Sequence, residues 1–218
     1  MDISYSGGMD STALAIWAKQ QGHEITLHFA DTGAELPDTL WFVPRAAKAL
    51  GAKLVVHQAA SFFQIFVRKG YLLPSFKMRW CTRELKIKAL GDDYAIGICA
   101  DESQRMEDKN RPLVDAGITK SDARKMCESA GLINPVYCWR SSCSCFCCPF
   151  QRKRDWIGMA KNHPDLYALA EEWEKLSITT SGFMFHEKYS LAQLREANED
   201  QYELLQEECD TACAICMW

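Results

Sequence analysis

The segment Ser6-Gly7-Gly8-Met9-Asp10-Ser11 has the residue types and spacing to hold a phosphate group. Two adjacent glycines let the backbone bend and approach an anion without a Cβ in the way. The helix predicted to come next would point the positive end of its dipole at the same place, and the serine hydroxyls can donate further hydrogen bonds. The segment lacks the G-x-x-x-x-G-K-[ST] spacing of the usual P-loop, so we do not expect a Walker-type ATPase. A tight strand-to-helix turn, with Asp10 or Ser11 as the helix cap, is the alternative interpretation.

Cysteines form a second candidate site. The chain contains 11 of them, and five lie within eleven residues: Cys138, Cys143, Cys145, Cys147 and Cys148. Because no basic segment followed by an apolar one precedes the first predicted strand, we expect no signal peptide, and thiols or metal ligands rather than a disulfide framework. The C-x-x-C spacing lets two thiolates hold one metal from a single turn.

Three or four thiolates suit either a [4Fe–4S] cluster or Zn²⁺, and free thiols are the third interpretation. A closed zinc site would only hold the loop together and would take no part in chemistry. Another group, Cys209, Cys213 and Cys216, lies near the end of the given sequence. The Cys213-x-x-Cys216 spacing is compatible with a metal site, a redox pair or a segment without order.

The composition is that of a globular protein, with 218 residues, 48% of them apolar and 25% charged. No apolar run approaches the ~18–20 residues that span a bilayer, so we expect no membrane segment. A net charge of −4 argues against non-specific binding of nucleic acid over the whole surface. The segment from residue 68 to residue 88, however, contains seven basic residues and one acidic residue, Glu84. The basic residues are Arg68, Lys69, Lys77, Arg79, Arg83, Lys86 and Lys88. This stretch predicts either an anionic ligand or a solvated helix face.

The elements that must position these residues alternate between strand and helix. Apolar strands are predicted at 2–5, 25–30, 53–58 and 94–100, and helices at 10–21, 37–50 and 61–70. This alternation is typical of a doubly wound α/β fold with a mostly parallel sheet. Such sheets bind ligands at the carboxyl ends of their strands, at the point where the strand order reverses.

After about residue 105 the pattern becomes helical and rich in cysteine. We predict a nucleotide-binding α/β core over 1–110 and a helical, cysteine-rich C-terminal extension over 111–218 packed on it. Its predicted parts are a short helix at 121–131, the cysteine loop at 138–149, an amphipathic helix through Leu166, Leu169, Ala170, Trp173 and Leu176, and an acidic helix at 189–208.

These blocks together resemble the PP-loop ATP pyrophosphatases, whose SGGxDS motif is matched by residues 6–11. More narrowly, the chain is similar to the PAPS reductase-like branch, the adenine nucleotide alpha hydrolases, and its cysteine loop resembles that of phage and bacterial members. Further matches come in the family's order: Asp31-Thr32-Gly33 with Glu35 and Pro37, Arg79-Trp80-Cys81-Thr82-Arg83-Glu84-Leu85-Lys86, Gly97 to Arg105, and Ser144 to Gln151 with Trp156, His163-Pro164 and Glu172. Cys99 stands where the family usually has arginine.

The resemblance implies an enzyme that cleaves ATP between its α and β phosphates, adenylates an acceptor and supports sulfur transfer. The acceptor would be nucleic acid or a small molecule. A PAPS or APS reductase is the second interpretation, although the E-C-G-x-H motif of those reductases has only a partial counterpart at Glu208-Cys209-Asp210. A nucleotide-binding module with structural zinc and no turnover is the third.

The resemblance also assigns residues. The pyrophosphate would be held by Ser6, Gly7, Gly8, Asp10 and Ser11, and Asp10 would also bind Mg²⁺. The adenine would contact Phe29 and Ala30, the ribose would bind Asp31, and Gly97 would line the site. Asp31 as a loop-capping residue is the alternative. The catalytic candidates are Asp10, Ser11, Lys86, Arg83 and Arg105; for the basic ones the alternative is surface pairing with Glu84, Asp101 or Glu102. The metal candidates are Cys81, Cys145 and Cys148, with Cys143, Cys147 or Cys138 as the fourth ligand and Cys143 preferred.

From the resemblance we also expect ATP and a sulfur-donor protein as partners, with nucleic acid as one candidate acceptor and no membrane. The expected location is the cytoplasm, which is that of the host if the chain is phage-encoded. The sequence leaves the oligomeric state open, a dimer included.

Overall fold

The computed structural model describes residues 1–58, 60–91 and 93–197. Its centre is a four-stranded sheet in the order β3-β2-β1-β4, in which every pairing is parallel. The strands are β1 Asp2–Ser4, β2 Thr26–Ala30, β3 Lys53–His57 and β4 Ala95–Ile96. The predicted α/β class with a parallel, doubly wound sheet is confirmed.

The strand order reverses at β1, and this creates the crevice in which a ligand is expected. From β1 the chain moves to β2 on one side, whereas β4 pairs with β1 on the other side. The loop at 6–8 comes soon after β1, and Gly97 comes directly after β4. Both segments therefore lie at the carboxyl ends of the two strands that flank the switch point.

Helices connect and cover the strands. They are α1 Met9–Gln20, α2 Pro37–Leu50, α3 Phe62–Arg68, a π-helix Thr82–Ile87 that continues into α4 Lys88–Leu90, α5 Pro112–Asp115, α6 Lys120–Ser129, α7 Lys153–Asn162, α8 Pro164–Ser181 and α9 Leu191–Glu196. Short 3₁₀ helices cover Ala100–Glu102 and Pro135–Cys138. Ser61 caps α3 and Thr119 caps α6, each through a capping box.

The hydrophobic interior has two parts. One lies between the sheet and its helices, where Ile3, Leu27 and Leu14 are fully buried and where Leu113 and Ala123 of α5 and α6 also pack. Thus α5 and α6 share the core of the sheet, and the division at residue 110 stays a prediction.

The second part of the interior is aromatic and lies under the cysteine loop. Trp156 and Trp173 are buried there, and the Trp173 ring stacks on Phe62 with centroids 5.4 Å apart. Because Phe146 of the cysteine loop belongs to the same cluster, this packing holds the loop on the body of the protein.

Some predicted elements differ in extent. Strand β4 ends at Ile96 instead of residue 100, because the Ile98 N–H donates to the Ile96 carbonyl and the chain turns away from the sheet. The π-helix and α7 were not predicted. Of the predicted helix at 189–208, the structure shows α9, which begins after the cap residue Ser190 and ends before Ala197, and residues 198–208 lie outside the described residues. In the described part of the chain, no helix is long and apolar enough to cross a membrane.

Candidate functional site

The loop after β1 is closed by its own serine hydroxyls. Ser6 Oγ lies 3.2 Å from Ser11 Oγ and accepts from the Gly8 N–H at 3.3 Å, while Ser11 Oγ donates to the Gly8 carbonyl at 3.0 Å. Gly7 has a φ of +72°, which a side chain would strain, and its position leaves only 3.0 Å between a Cβ and Val43. The loop therefore has the backbone bend that anion binding requires, at the start of the 12-residue helix α1.

Two side chains from the C-terminal half complete this loop, and sequence reasoning missed both. Asn134, which is buried, donates its amide to the Gly7 carbonyl at 3.0 Å and accepts from the Val136 N–H at 3.1 Å. Tyr137 accepts from the Met9 N–H at 2.9 Å. No local motif could have indicated these contacts. Asn134 and Gly7 are separated by 127 positions along the chain, and Tyr137 and Met9 by 128.

We expect Asn134→Ala to weaken the loop measurably. The Gly7 carbonyl and the Val136 N–H would lose a buried partner, which costs about 1–3 kcal/mol of unfolding free energy. Urea denaturation measures this loss, and titration with ATP measures the accompanying loss of affinity. Asn162→Ala is the matched control, since the Asn162 side chain is exposed at the end of α7 and its amide donates to the Gly158 carbonyl. Equal stabilities of the two variants would contradict this role of Asn134.

Gly97 brings β4 against the start of α1. A Cβ on Gly97 would lie 2.6 Å from the Asp10 carbonyl carbon and 2.6 Å from the Ser11 nitrogen. Only glycine permits this approach, so the predicted site residue Gly97 lies against the predicted site residues Asp10 and Ser11.

The Asp10 carboxylate lies in a partly buried, charged setting. Burial raises its pKa, and the Lys120 ammonium and a hydrogen bond from Cys99 oppose that shift. Asp10 also interacts electrostatically with Asp101 and Glu102, which lie after β4 in the chain. The carboxylate therefore faces the β4 side of the switch point, beside Cys99.

The residues predicted to hold the nucleoside occupy the end of β2. Phe29 and Ala30 are buried in the sheet, at 4% and 7% exposure. Asp31 accepts from the Gly33 N–H at 2.9 Å, which is the loop-capping arrangement named as the alternative. A role for Asp31 at a ribose therefore stays a prediction.

The cysteine loop packs directly on the loop after β1. Cys143 Sγ lies 3.5 Å from the Ser6 carbonyl oxygen, 3.3 Å from Thr39 Oγ1 and 3.4 Å from Asn134 Nδ2. Burial raises the pKa of the Cys143 thiol to about 11. The two sites that the sequence suggested separately thus meet at Cys143.

Around Cys145 the structure assembles a thiol, a carboxylate and an ammonium. Cys145 Sγ lies 3.3 Å from Thr32 Oγ1 and 3.4 Å from Glu35 Oε1. The pKa of the Lys86 ammonium is raised by the negative charge that Cys145 can carry and by Glu35. The pKa of the Cys145 thiol is itself raised, mainly by burial and then by Glu35, with Lys86 opposing. Lys86 thus lies at the thiol group, and Glu35, which the sequence analysis did not place in the site, joins it.

The remaining thiols of the loop lie close to one another. Cys81, on the chain before the π-helix, interacts electrostatically with Cys148, and burial raises the pKa of the Cys81 thiol. Cys147 is fully buried, and burial also raises its pKa. Cys81, Cys143, Cys145 and Cys148 therefore approach one region from two separate segments.

Within residues 1–58, 60–91 and 93–197, no group of three or more Cys, His, Asp or Glu side chains is already arranged to hold a metal ion. Cys138 ends the 3₁₀ helix Pro135–Cys138. Cys209, Cys213 and Cys216 lie outside the described residues.

Two buried charged side chains fix the conformation of the cysteine loop. Arg140 is 4% exposed and donates to the Ser144 carbonyl at 3.0 Å and to the Cys145 carbonyl at 3.1 Å. Asp155, at 1% exposure, accepts from the Ser141 N–H and the Ser141 hydroxyl, each at 2.8 Å. The thiols are thus carried by a loop whose carbonyl and N–H groups are bonded internally.

The two predicted arginines lie in surface ion pairs. Arg83 Nε is 3.4 Å from Glu84, with its side chain 66% exposed, and Arg105 is 2.6 Å from Glu102, with its side chain 56% exposed. These are the pairs that the sequence analysis gave as the alternative, so a contact of either arginine with a ligand stays a prediction.

Comparison with known proteins gives consistent matches. The family model of the phosphoadenosine phosphosulfate reductase domain matches residues 1–128. The uncharacterized protein MJ0973 of Methanocaldococcus jannaschii is 24% identical in an alignment of 193 residues that covers 77% of this chain and 46% of that protein. The uncharacterized protein MJ0066 of the same organism is 32% identical over 89 residues, covering 40% of this chain and 18% of that protein. The chain thus spans less than half the length of these relatives.

Proposed function

The chain belongs to the phosphoadenosine phosphosulfate reductase domain family, and on this premise we propose that it is an ATP pyrophosphatase that adenylates an acceptor. The observation that carries the proposal is the complete SGGxDS loop at the β1/β4 switch point, closed by Ser6 and Ser11 and supported by Asn134. These bonds bring the Ser6 and Ser11 hydroxyls together at the start of α1, where a pyrophosphate would be bound.

In the proposed reaction, a nucleophilic atom of the acceptor attacks the α-phosphorus of ATP. The bond from that phosphorus to the bridging oxygen breaks, and pyrophosphate leaves with the electron pair. N–H groups at the start of α1 and the Ser6 and Ser11 hydroxyls would bind the leaving group as its charge develops. Asp10 would hold Mg²⁺, which neutralises charge on the phosphates when bound.

We further propose that the thiols beside the loop serve sulfur transfer to the adenylated acceptor. A sulfide-level sulfur from a donor protein would attack the adenylated atom, the bond from that atom to the AMP oxygen would break, and AMP would leave with the electron pair. This is supported by the 3.5 Å contact between Cys143 Sγ and the Ser6 carbonyl and by the position of Lys86. The Lys86 ammonium opposes the rise that burial causes in the pKa of the Cys145 thiol, so it would stabilise the thiolate once the proton leaves.

For a metal centre, the donor chemistry fits, since thiolates from two segments suit a [4Fe–4S] cluster or Zn²⁺. Cys81, Cys145 and Cys148 would hold it, with Cys143 as the fourth ligand, and the thiols would have to draw together around the metal. A cluster held by Cys81, Cys145 and Cys148 alone would leave one iron open as a place for sulfur, whereas zinc with Cys143 as the fourth ligand would supply only a structural link.

The metal proposal predicts that anaerobically purified protein contains about one cluster or one zinc per chain. Cys148→Ser should lose most of this metal, because the C-x-x-C pair is broken. Cys127→Ser is the control, since Cys127 lies on α6 with its thiol directed to the Met9 carbonyl. Metal analysis with an absorption spectrum distinguishes iron with sulfide from zinc. Protein that binds neither metal, or a Cys148→Ser variant with full metal content, would refute the proposal.

A second candidate function is sulfonucleotide reduction, which the description of the matching family favours. Incubation with ATP labelled at the α-phosphate separates the two functions. The proposed enzyme forms labelled AMP or an adenylate together with unlabelled pyrophosphate. A reductase instead forms sulfite from a sulfonucleotide in the presence of a thiol reductant and leaves ATP intact. Formation of ADP and phosphate would exclude both.

A further inference from the structure

Two phenylalanine rings are exposed beside the thiols and contact each other. Phe76 is 68% exposed and Phe150 is 38% exposed, yet their ring centroids lie 4.4 Å apart at an interplanar angle of 73°. The Arg79 guanidinium lies 5.0 Å from the centre of the Phe150 ring. The chain thus presents aromatic faces and a cation to solvent in one place.

Both rings stand on segments whose conformation is fixed. Phe76 lies in a turn that is closed twice, because the Ser75 N–H donates to the Met78 carbonyl and the Met78 N–H donates to Ser75 Oγ, each at 3.1 Å. Phe150 comes after the cysteine loop, and the next residue, Gln151, is buried with its amide bonded to the Phe146 carbonyl at 2.6 Å. The rings are therefore held in place before any ligand arrives.

The same two segments carry a local excess of positive charge. Lys77, Arg79, Arg152 and Lys153 are exposed, and none of them forms an ion pair within the part of the chain that the structure describes. This excess contrasts with the net charge of −4 of the whole chain. A partner for this surface must offer negative charge together with flat apolar groups.

We infer that this surface, defined by Phe76, Phe150 and Arg79 and called the Phe76–Phe150 platform, binds a single-stranded nucleic acid through base stacking and phosphate contacts. Unpaired bases offer π-faces to exposed rings, and the backbone offers phosphates to the surrounding lysines and arginines. An acidic peptide would use the cations and leave the rings unused.

The platform lies where an acceptor would be needed. Phe150 is two residues from Cys148 and Arg79 is two residues from Cys81, and these two thiols interact with each other. That the bound strand reacts rests on the proposed function, whereas that the strand binds does not. It narrows the open choice of acceptor to a base or backbone group of a single strand.

The test measures fluorescence anisotropy of labelled single-stranded RNA and DNA, each about 12 nucleotides long, with the full chain. Phe76→Ala combined with Phe150→Ala should weaken binding at least about tenfold. An abasic strand of equal length should bind the unchanged protein at least about tenfold more weakly than the strand with bases. Arg79→Gln should reduce the slope of log affinity against log salt by about 0.7.

Trp41→Ala is the matched control, because Trp41 is 49% exposed and carries the Arg45 guanidinium 4.0 Å above its ring on α2. The Trp41→Ala variant should bind the strand with the same affinity as the unchanged protein. Circular dichroism verifies that each variant is folded. Equal binding by the double Phe variant, equal binding of the abasic strand, or stronger binding of a duplex would overturn the inference.

Failure of this inference is separable from failure of the proposed function. Without a strand, when water takes the place of the acceptor, the double Phe variant should release pyrophosphate from ATP at the rate of the unchanged protein, and Asp10→Asn should bind the strand normally. Pyrophosphate release without strand binding would leave the proposed function in place and remove the platform.

Discussion

Asp10→Asn is expected to lower the rate of pyrophosphate release from ATP at least about 100-fold, the effect of losing one charged group that stabilises the transition state. The amide keeps the shape of the side chain but cannot neutralise or bind Mg²⁺ as a carboxylate does. The measurement is a steady-state assay of pyrophosphate with saturating Mg²⁺ and ATP.

The same variant should not lose stability, which separates a lost function from a lost fold. Because burial raises the pKa of Asp10, the native protein binds more protons than the unfolded chain between the ordinary and the raised value. Stability therefore falls as pH rises through that window, and the ionised carboxylate opposes folding at neutral pH. Asp10→Asn removes this cost, so its Tm should equal or exceed that of the unchanged protein.

Asp108→Asn is the control for Asp10→Asn, since the Asp108 side chain is 76% exposed. It should leave both the rate and the Tm unchanged. If Asp10→Asn turned over ATP at the normal rate, Asp10 would have no place in the site.

Gly97→Ala is expected to damage both stability and activity. The new Cβ would lie 2.6 Å from the backbone of Asp10 and Ser11, and backbone atoms cannot move aside as a flexible side chain can. Helix α1 would have to shift, which we expect to cost about 3 kcal/mol of unfolding free energy. A displacement of about 1 Å at the phosphate loop can reduce the rate about 100-fold.

Gly22→Ala is the comparison for Gly97→Ala. Gly22 has open space for a Cβ, and only its φ of +81° opposes a side chain. Urea denaturation gives the free energy of unfolding of each variant, and titration with ATP gives its affinity. The difference between the two variants separates the steric clash at Gly97 from the backbone strain that Gly22→Ala alone introduces. A Gly97→Ala protein as stable and as active as Gly22→Ala would show that β4 does not support the start of α1.

Much of the α/β core could be predicted because it is specified by local patterns. Pro37 and Gly51 delimit α2 as expected, and the alternation of apolar strands with helices indicated the parallel sheet. The tight bend between β1 and α1 could also be predicted, since its glycines and serines are adjacent in sequence. The path of the chain after β4 could not be predicted, because the turn at Ile98 depends on the packing of Gly97 against α1.

The candidate site was predicted in its parts but not in its assembly. The cysteine spacing indicated grouped thiols, yet nothing local indicated that Cys143 would contact the Ser6 carbonyl or that Glu35 would contact Cys145. These contacts come from folding of distant segments onto one edge of the sheet. The motif that contains Lys86 also predicted Arg83 as a site residue, but the Arg83 side chain is exposed and pairs with its neighbour Glu84.

The central claim is that the loop from Ser6 to Ser11 binds the triphosphate of ATP, and a crystal structure tests it most directly. Crystals would be grown with Mg²⁺ and an ATP analogue that carries a carbon bridge between its α and β phosphates. We expect the β and γ phosphates to lie against the N–H groups at the start of α1, within hydrogen-bond distance of Ser6 and Ser11. Phosphates bound elsewhere, with this loop free of the analogue, would contradict the claim.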